Sequence, residues 1–462
     1  NPAENTAQAT PENADQQLKD SLKNASIEGR VMYVDSTYIK LRSLKYRRSF
    51  KPDFYSVRID NNQLFTRYQN FSGNIYTPTL GGMLSASVYD KMEDYRFTGG
   101  YRLPIFTNGS AYFLQFDNFK KRVDWGLTYY REVRNQMATF EIGTASGSIL
   151  MDYRIKPILN MVQGYASYPL DMTKSIRLNA GLRQDRNTVK STDVISNYIE
   201  NEDKYYITSR AEFIHDDTRM KALNIPDGLR MKLYAEYMYK LHDDNIYSSG
   251  DSLRNPRGGF FNVGFDIRNY TQVYKNITFA FRAAFAHSGG NEKVLHVLGG
   301  VDNALNAKQA NYPFGTNTYA FQSLTTSLRG YDQNARNGNT FGLINAELRV
   351  PVFETFFRKP VQSTIWKHLQ AVAFVDVGSA WEGLLPTVLG RSDDRQSVFK
   401  VPNTPNAPGQ MTITLPYSGD DKLAVGYGLG LRTMLYGYFF RADGAMNING
   451  QFRLHLAMGV DF

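Results

Sequence analysis

The chain of 462 residues contains no cysteine. That excludes disulfide scaffolds, thiolate metal sites and cysteine nucleophiles. Its six histidines are scattered, with no His-x-x-x-His or carboxylate spacing suited to a metal. No glycine loop of the phosphate-binding kind is present. No unbroken apolar run approaches the ~20 residues that a spanning helix needs, so a helical membrane protein is excluded. A transmembrane barrel survives that test, because its strands are only half apolar. One enzyme-like string occurs, Gly250-Asp251-Ser252-Leu253, which matches an esterase block. It lies late in the chain, and no Asp-x-x-His triplet accompanies it. We therefore expect no catalytic residue, no metal, no cofactor and no enzyme.

Aromatic residues and basic charge are abundant. There are 31 Tyr and 29 Phe, a share that girdles at two membrane interfaces would explain. Lys and Arg number 53 against 44 Asp and Glu. The basic residues alternate with apolar ones inside extended segments, which favours a basic barrel lumen over nucleic-acid binding. The end of the chain shows the pattern most plainly. In residues 451–462, Phe452, Leu454, Leu456, Met458, Val460 and Phe462 share one face of a strand. Gln451, Arg453, His455, Ala457, Gly459 and Asp461 share the other. An apolar strand edge left open in water invites aggregation, whereas a barrel pairs that edge and turns its apolar face to lipid.

Alternating segments recur from Gly81 onward, as at residues 176–185, 229–242, 277–285 and 423–432. Placing a strand at residues 137–146 brings the total to an even sixteen. The fold class expected is all-β: a 16-stranded antiparallel transmembrane β-barrel with a long inward-folding sixth outer loop. Short periplasmic turns are expected at residues 104–110, 133–136, 171–174, 220–228 and 274–276, with a longer one at 352–367 and a tight turn near Leu435. Outer loops are expected at residues 188–203, 243–258, 288–340 and 382–422, and a tight turn at Asn447-Ile448-Asn449-Gly450. Trp366 and Trp381 flank the thirteenth strand about one membrane thickness apart. Residues 1–80 read as a polar N-terminal segment and periplasmic linker, and residues 81–462 as the barrel. The first strand is placed at residues 82–91, with Leu84, Ala86 and Val88 meeting Phe452, Leu454, Leu456 and Phe462 at the seam.

The loop at residues 288–340 is long enough to signal function. It carries Leu328-Arg329-Gly330-Tyr331. An arginine folding into a lumen needs partners. Glu347, between Asn345 and Arg349, and Asp376, in Phe374-Val375-Asp376-Val377-Gly378, both lie on inward faces by alternation. Two carboxylates can satisfy a guanidinium in a way they cannot satisfy a lysine.

These stretches, with the strand Gly426-Tyr427-Gly428-Leu429-Gly430-Leu431-Arg432, the string Arg441-Ala442-Asp443-Gly444-Ala445 and the strand ending in Phe462, occur in an order that resembles the outer-membrane assembly and secretion barrels. That superfamily comprises BamA, TamA and their two-partner-secretion relatives, also called the bacterial surface antigen domain. The resemblance is specific over residues 328–462 and implies that Arg329, Gly330 and Tyr331 dock against Glu347 and Asp376. A looser likeness over residues 81–131 points to members that follow a TolB-like β-propeller. The first eighty residues are too few for such a module, so a separate partner or a longer precursor is expected. The resemblance implies a Gram-negative outer membrane with both termini periplasmic, and contacts with outer-membrane lipid and lipopolysaccharide. Protein partners and client outer-membrane proteins are expected, and no nucleic acid. It also implies a role in assembly, insertion or translocation of proteins, with a structural anchor or a simple pore as alternatives.

Overall fold

In the computed structural model, the described residues are 31–34, 37–40, 48–60, 68–71, 75, 81–104, 109–144, 147–190, 201–243, 258–310, 312–314, 319–325, 327–357, 362–386, 396–400, 412–416 and 423–459. The chain divides into two units, Asn1–Phe50 and Lys51–Phe462. In the first, Val31–Val34 and Thr37–Lys40 pair as a hairpin. The second is a barrel.

Among the described residues eighteen strands make up the ring, of which two are excursions at its rims, leaving sixteen that build the wall. In chain order these are β1 (Phe50–Asp60), β2 (Gly81–Asp90), β3 (Tyr95–Pro104), β4 (Ser110–Asn118), β5 (Asp124–Val133), β6 (Gly147–Pro169), β7 (Lys174–Val189) and β8 (Glu202–Asp216). They continue with β9 (Ile225–Asp243), β10 (Gly259–Tyr274), β11 (Ile277–Gly290), β12 (Thr340–Pro351), β13 (Gln370–Trp381), β14 (Ala424–Leu435), β15 (Tyr438–Asn447) and β16 (Phe452–Met458). Consecutive strands pair antiparallel from β2 to β16, and the strand order sets β1 between β16 and β2.

The wall is apolar outside and polar inside, the reverse of a soluble sheet. On β14, Leu429 is 72% exposed and Leu431 57%, while Arg432 between β13 and β15 is fully buried. On β12, Ile344 and Leu348 face outward, whereas Asn345, Glu347 and Arg349 are buried inside. Outward apolar faces suit lipid. Among the described residues no helix is long and apolar enough to cross a membrane.

Two expectations need correcting, although the total of sixteen stands. First, Phe50–Asp60 belongs to the ring, so the barrel begins before Gly81 and the terminal strand's neighbour in the order is β1. Leu84, Ala86 and Val88 do face outward on β2, but one strand away from the seam. Pro52, Lys51, Asp53 and Arg58, with Phe54 beside Tyr55, hide β1 from a test of alternation. Second, Gln136–Thr144 is not a wall strand. Among the described residues it pairs with the first half of β6 alone, from Gly147 opposite Thr144 to Ile155 opposite Gln136. β5 meets the second half of β6 directly, with Val133 opposite Ile158 and Asp124 opposite Ser167. The hairpin therefore stands on the rim that Val133 reaches. Ile155 lies opposite Val189, which puts the connection after β7 on that same rim. Residues 104–110 and 133–136 thus share the rim of the long loops. The turns at residues 91–94 and 119–123 share the other rim with residues 170–173 and 275–276. Arg122 donates to the carbonyl of Pro169 across two of these turns. A rim hairpin alternates just as a spanning strand does, so the pattern alone could not separate them.

The short-turn rim also carries α1 (Val352–Phe356) and α2 (Thr364–Lys367), between β12 and β13. Tyr436 and Gly437 hold positive φ angles in the two-residue turn between β14 and β15.

Candidate functional site

The loop between β11 and β12 folds inward instead of projecting. Its strand Lys293–Leu298 runs parallel to Tyr319–Thr325 and antiparallel to Arg336–Gly338. A short strand from the connection after β1, Gln69–Asn70, completes a four-stranded sheet by pairing with Phe321 and Gln322. Tyr68, Val294 and Phe321 pack against Tyr206, Met238 and Phe260, the inward side chains of β8, β9 and β10. Around Tyr68 the polar contacts are equally specific. Its hydroxyl donates to Glu236 at 2.7 Å, its carbonyl accepts from Arg183 at 2.9 Å, and Arg210 reaches Glu236 at 2.7 Å. Nothing in the sequence singled out residues 68–70, because a two-residue strand leaves no period to detect.

Arg329 closes this loop onto the wall. It is buried, and three of the five N–H groups of its guanidinium are met by two carboxylates. Its Nε donates to Asp376 Oδ2 at 2.7 Å and its Nη2 to Oδ1 at 2.7 Å. Its Nη1 donates to Glu347 Oε1 at 2.5 Å, and its own backbone N–H donates to Asp376 Oδ2 at 3.0 Å. The guanidinium lies 3.7 Å from the centroid of the Phe374 ring. This is the fork geometry that lysine cannot reproduce. The carboxylates are oriented in turn: Asn345 donates to Asp376 Oδ1 at 2.8 Å, and Arg349 donates to Glu347 Oε2 at 2.9 Å. Glu347 thus lies between two guanidinium groups. Arg349 also reaches the carbonyl of Asn224 at 3.3 Å, tying the network to the short-turn rim.

Backbone proximity explains the glycines. A Cβ on Gly426 would lie 1.8 Å from the carbonyl oxygen of Arg329, so β14 presents a bare surface where the loop tip rests. Gly330 has φ +87°, a conformation that favours glycine, and its N–H donates to His455 Nε2 at 3.1 Å on β16. The Tyr331 hydroxyl bonds the backbone of Val425 at 3.2 Å.

The structure therefore brings Arg329, Gly330, Tyr331, Glu347 and Asp376 together, and adds Asn345, Arg349 and His455. Arg432 and Asp443, paired on β14 and β15, lie deeper on the same wall. Phe452, Leu454 and Leu456 are exposed on the outer face of β16, apart from the arginine cluster. Phe462 lies outside the described residues. Among the described residues no group of three or more His, Asp or Glu side chains converges as a metal would require.

A model of the Omp85 superfamily domain matches residues 81–451. No curated protein matches the chain. Among solved structures, BamA from Haemophilus ducreyi lacking POTRA domains 1-3 aligns at 13% identity and a TM-score of 0.52, covering 97% of this chain and 78% of that one. CdiB from Escherichia coli aligns at 12% identity and a TM-score of 0.45, over 94% of this chain and 67% of that one. At such identities the likeness to BamA concerns the fold.

Proposed function

The chain belongs to the Omp85 superfamily, and from that premise we propose that it is a bacterial outer-membrane barrel that assembles or translocates proteins without covalent chemistry of its own. The rim of long loops then faces outward and the short turns face the periplasm. The observation that carries the reading is the docked Arg329. It links the loop to β12 and β13 through side chains, and to β14 and β16 through Tyr331 and Gly330. That bracing holds the wall beside the terminal strand, where an added strand could pair by its main chain. The partners this reading requires are unfolded outer-membrane proteins and a periplasmic protein that delivers them. The inward sheet argues against a nutrient pore, since it fills the lumen with a built hydrogen-bonded structure.

The direct test is reconstitution. The purified chain is placed in phospholipid vesicles and an unfolded outer-membrane protein is added. Folding is read as protease-resistant client over time. Faster folding than in empty vesicles supports assembly, and the same rate in both contradicts it.

A further inference from the structure

The edge of β16 that faces away from β15 is already occupied. Successive residues of a strand turn their N–H and C=O groups to opposite sides. On β16 the odd positions serve β15, as the bond from Gly459 N–H to the Phe439 carbonyl shows. The even positions, Leu454, Leu456 and Met458, face the other way. Their groups meet residues 303–306, from the same loop that carries Arg329. Leu305 N–H donates to Leu456 O at 2.7 Å, and Met458 N–H donates to Asn303 O at 3.2 Å. The Asn306 side chain then acts as the next peptide group: its Nδ2 donates to Leu454 O at 2.7 Å and its Oδ1 accepts from Leu456 N–H at 3.0 Å. Ala304 lies opposite Ala457 as an antiparallel pair. Four main-chain groups of the edge are thus satisfied by a loop segment that imitates a strand.

We propose that residues 303–306 are an internal stand-in for a strand, covering the seam edge of β16 over Leu454–Met458 until an extended polypeptide segment displaces them. The chemistry of the segment favours exchange. Leu305 is exposed, as is Asn306, so the clamp contributes hydrogen bonds and little apolar burial. A net hydrogen bond contributes only about 1 kcal/mol. An incoming strand makes the same four bonds and adds apolar side chains next to the outward-facing Leu454 and Leu456. A cavity of ≈ 260 Å³, lined by Ala304, Asn306, Tyr331, Arg453 and His455 among others, leaves the clamp loosely backed. The clamp is also tied to the docked arginine. Ser327 N–H and Leu328 N–H both donate to the carbonyl of Gly300 at 3.1 Å, so the tip and the clamp are bonded neighbours. Arg441 fixes the near end by donating to the carbonyl of Asp302 at 2.6 Å. The partner such an edge fits is an extended segment with alternating apolar side chains. This deepens the assembly reading and rests on it for its purpose, but its test does not use assembly.

Two measurements on the full chain in detergent decide it. The first is amide hydrogen exchange. Asn306→Ala should speed exchange at Leu456 about fivefold while Arg453 and His455 stay unchanged, because only the former loses its acceptor. Equal rates in the two proteins overturn the clamp. The second uses the absence of native cysteine: Ala304→Cys with Ala457→Cys forms a disulfide that locks the segment down. The probe is a synthetic peptide with the sequence of residues 451–462. The reduced double variant should bind it, and oxidation should weaken binding about tenfold or more. Equal binding before and after oxidation, or no binding to the reduced form, overturns displacement. Failure of the vesicle folding assay would instead count against assembly.

Discussion

At the residue scale, one buried cation organises the site. Pairing charges away from bulk water gains little over apolar packing, but removing one partner is costly, because the other is left stranded. Asp376→Asn should therefore destabilise the barrel by about 3 kcal/mol or more, read as a lower temperature for its unfolding in detergent. Gly426→Ala should have a similar effect by steric means, since its methyl group would overlap the Arg329 carbonyl. Stability equal to wild type in both would contradict a docked tip. A second residue carries a pH dependence. His296, on the inward strand Lys293–Leu298, packs against Phe341, and burial holds its imidazole down to about 3. Nearby His287 adds to the shift by repulsion. The unfolded value is about 6.5, so the released loop binds more protons than the packed one. The contribution of neutral His296 is complete above pH 6.5 and declines as pH falls from there toward 3. At pH 5 the inward sheet should be weaker by about 2 kcal/mol than at pH 7.5. Limited proteolysis of the loop reads this, and His296→Phe should remove much of the difference. The carboxylate partners of Arg329 could be anticipated from alternation on β12 and β13. His455 could not, because its bond to Gly330 joins segments 125 residues apart.

At the scale of elements, most of the wall was visible in the sequence as alternation. What was hidden had one cause in common. A period of two marks an extended segment, but says nothing about which strand lies beside it. Gln136–Thr144 alternates and yet pairs only within a rim hairpin, while Phe50–Asp60 scarcely alternates and yet takes a place in the ring. Exchanging one for the other preserves sixteen strands and reverses the sidedness of everything between β2 and β6. That reversal can be measured. Met92 and Met172 are both exposed in turns of the same rim. Met92→Cys and Met172→Cys should both resist an impermeant maleimide in intact cells and both react once the outer membrane is opened. Labelling of one alone in intact cells would contradict the strand assignment.

At the scale of the whole molecule, two connections on the same rim turn inward and become one sheet, and a third function of the long loop is to cover the edge of the last strand. The barrel is thereby filled, braced on one wall and capped at its seam by its own chain. Such a molecule is suited to holding a seam in reserve for a strand, whereas a pore would need a clear lumen. An anchor for a single complex would need the wall but gives no reason for a displaceable cap. The measurement that separates these is depletion of the protein in its own cells, followed by quantitation of outer-membrane proteins. Loss of many unrelated barrel proteins is the predicted result. Loss of one complex, or no loss, would contradict the assembly account.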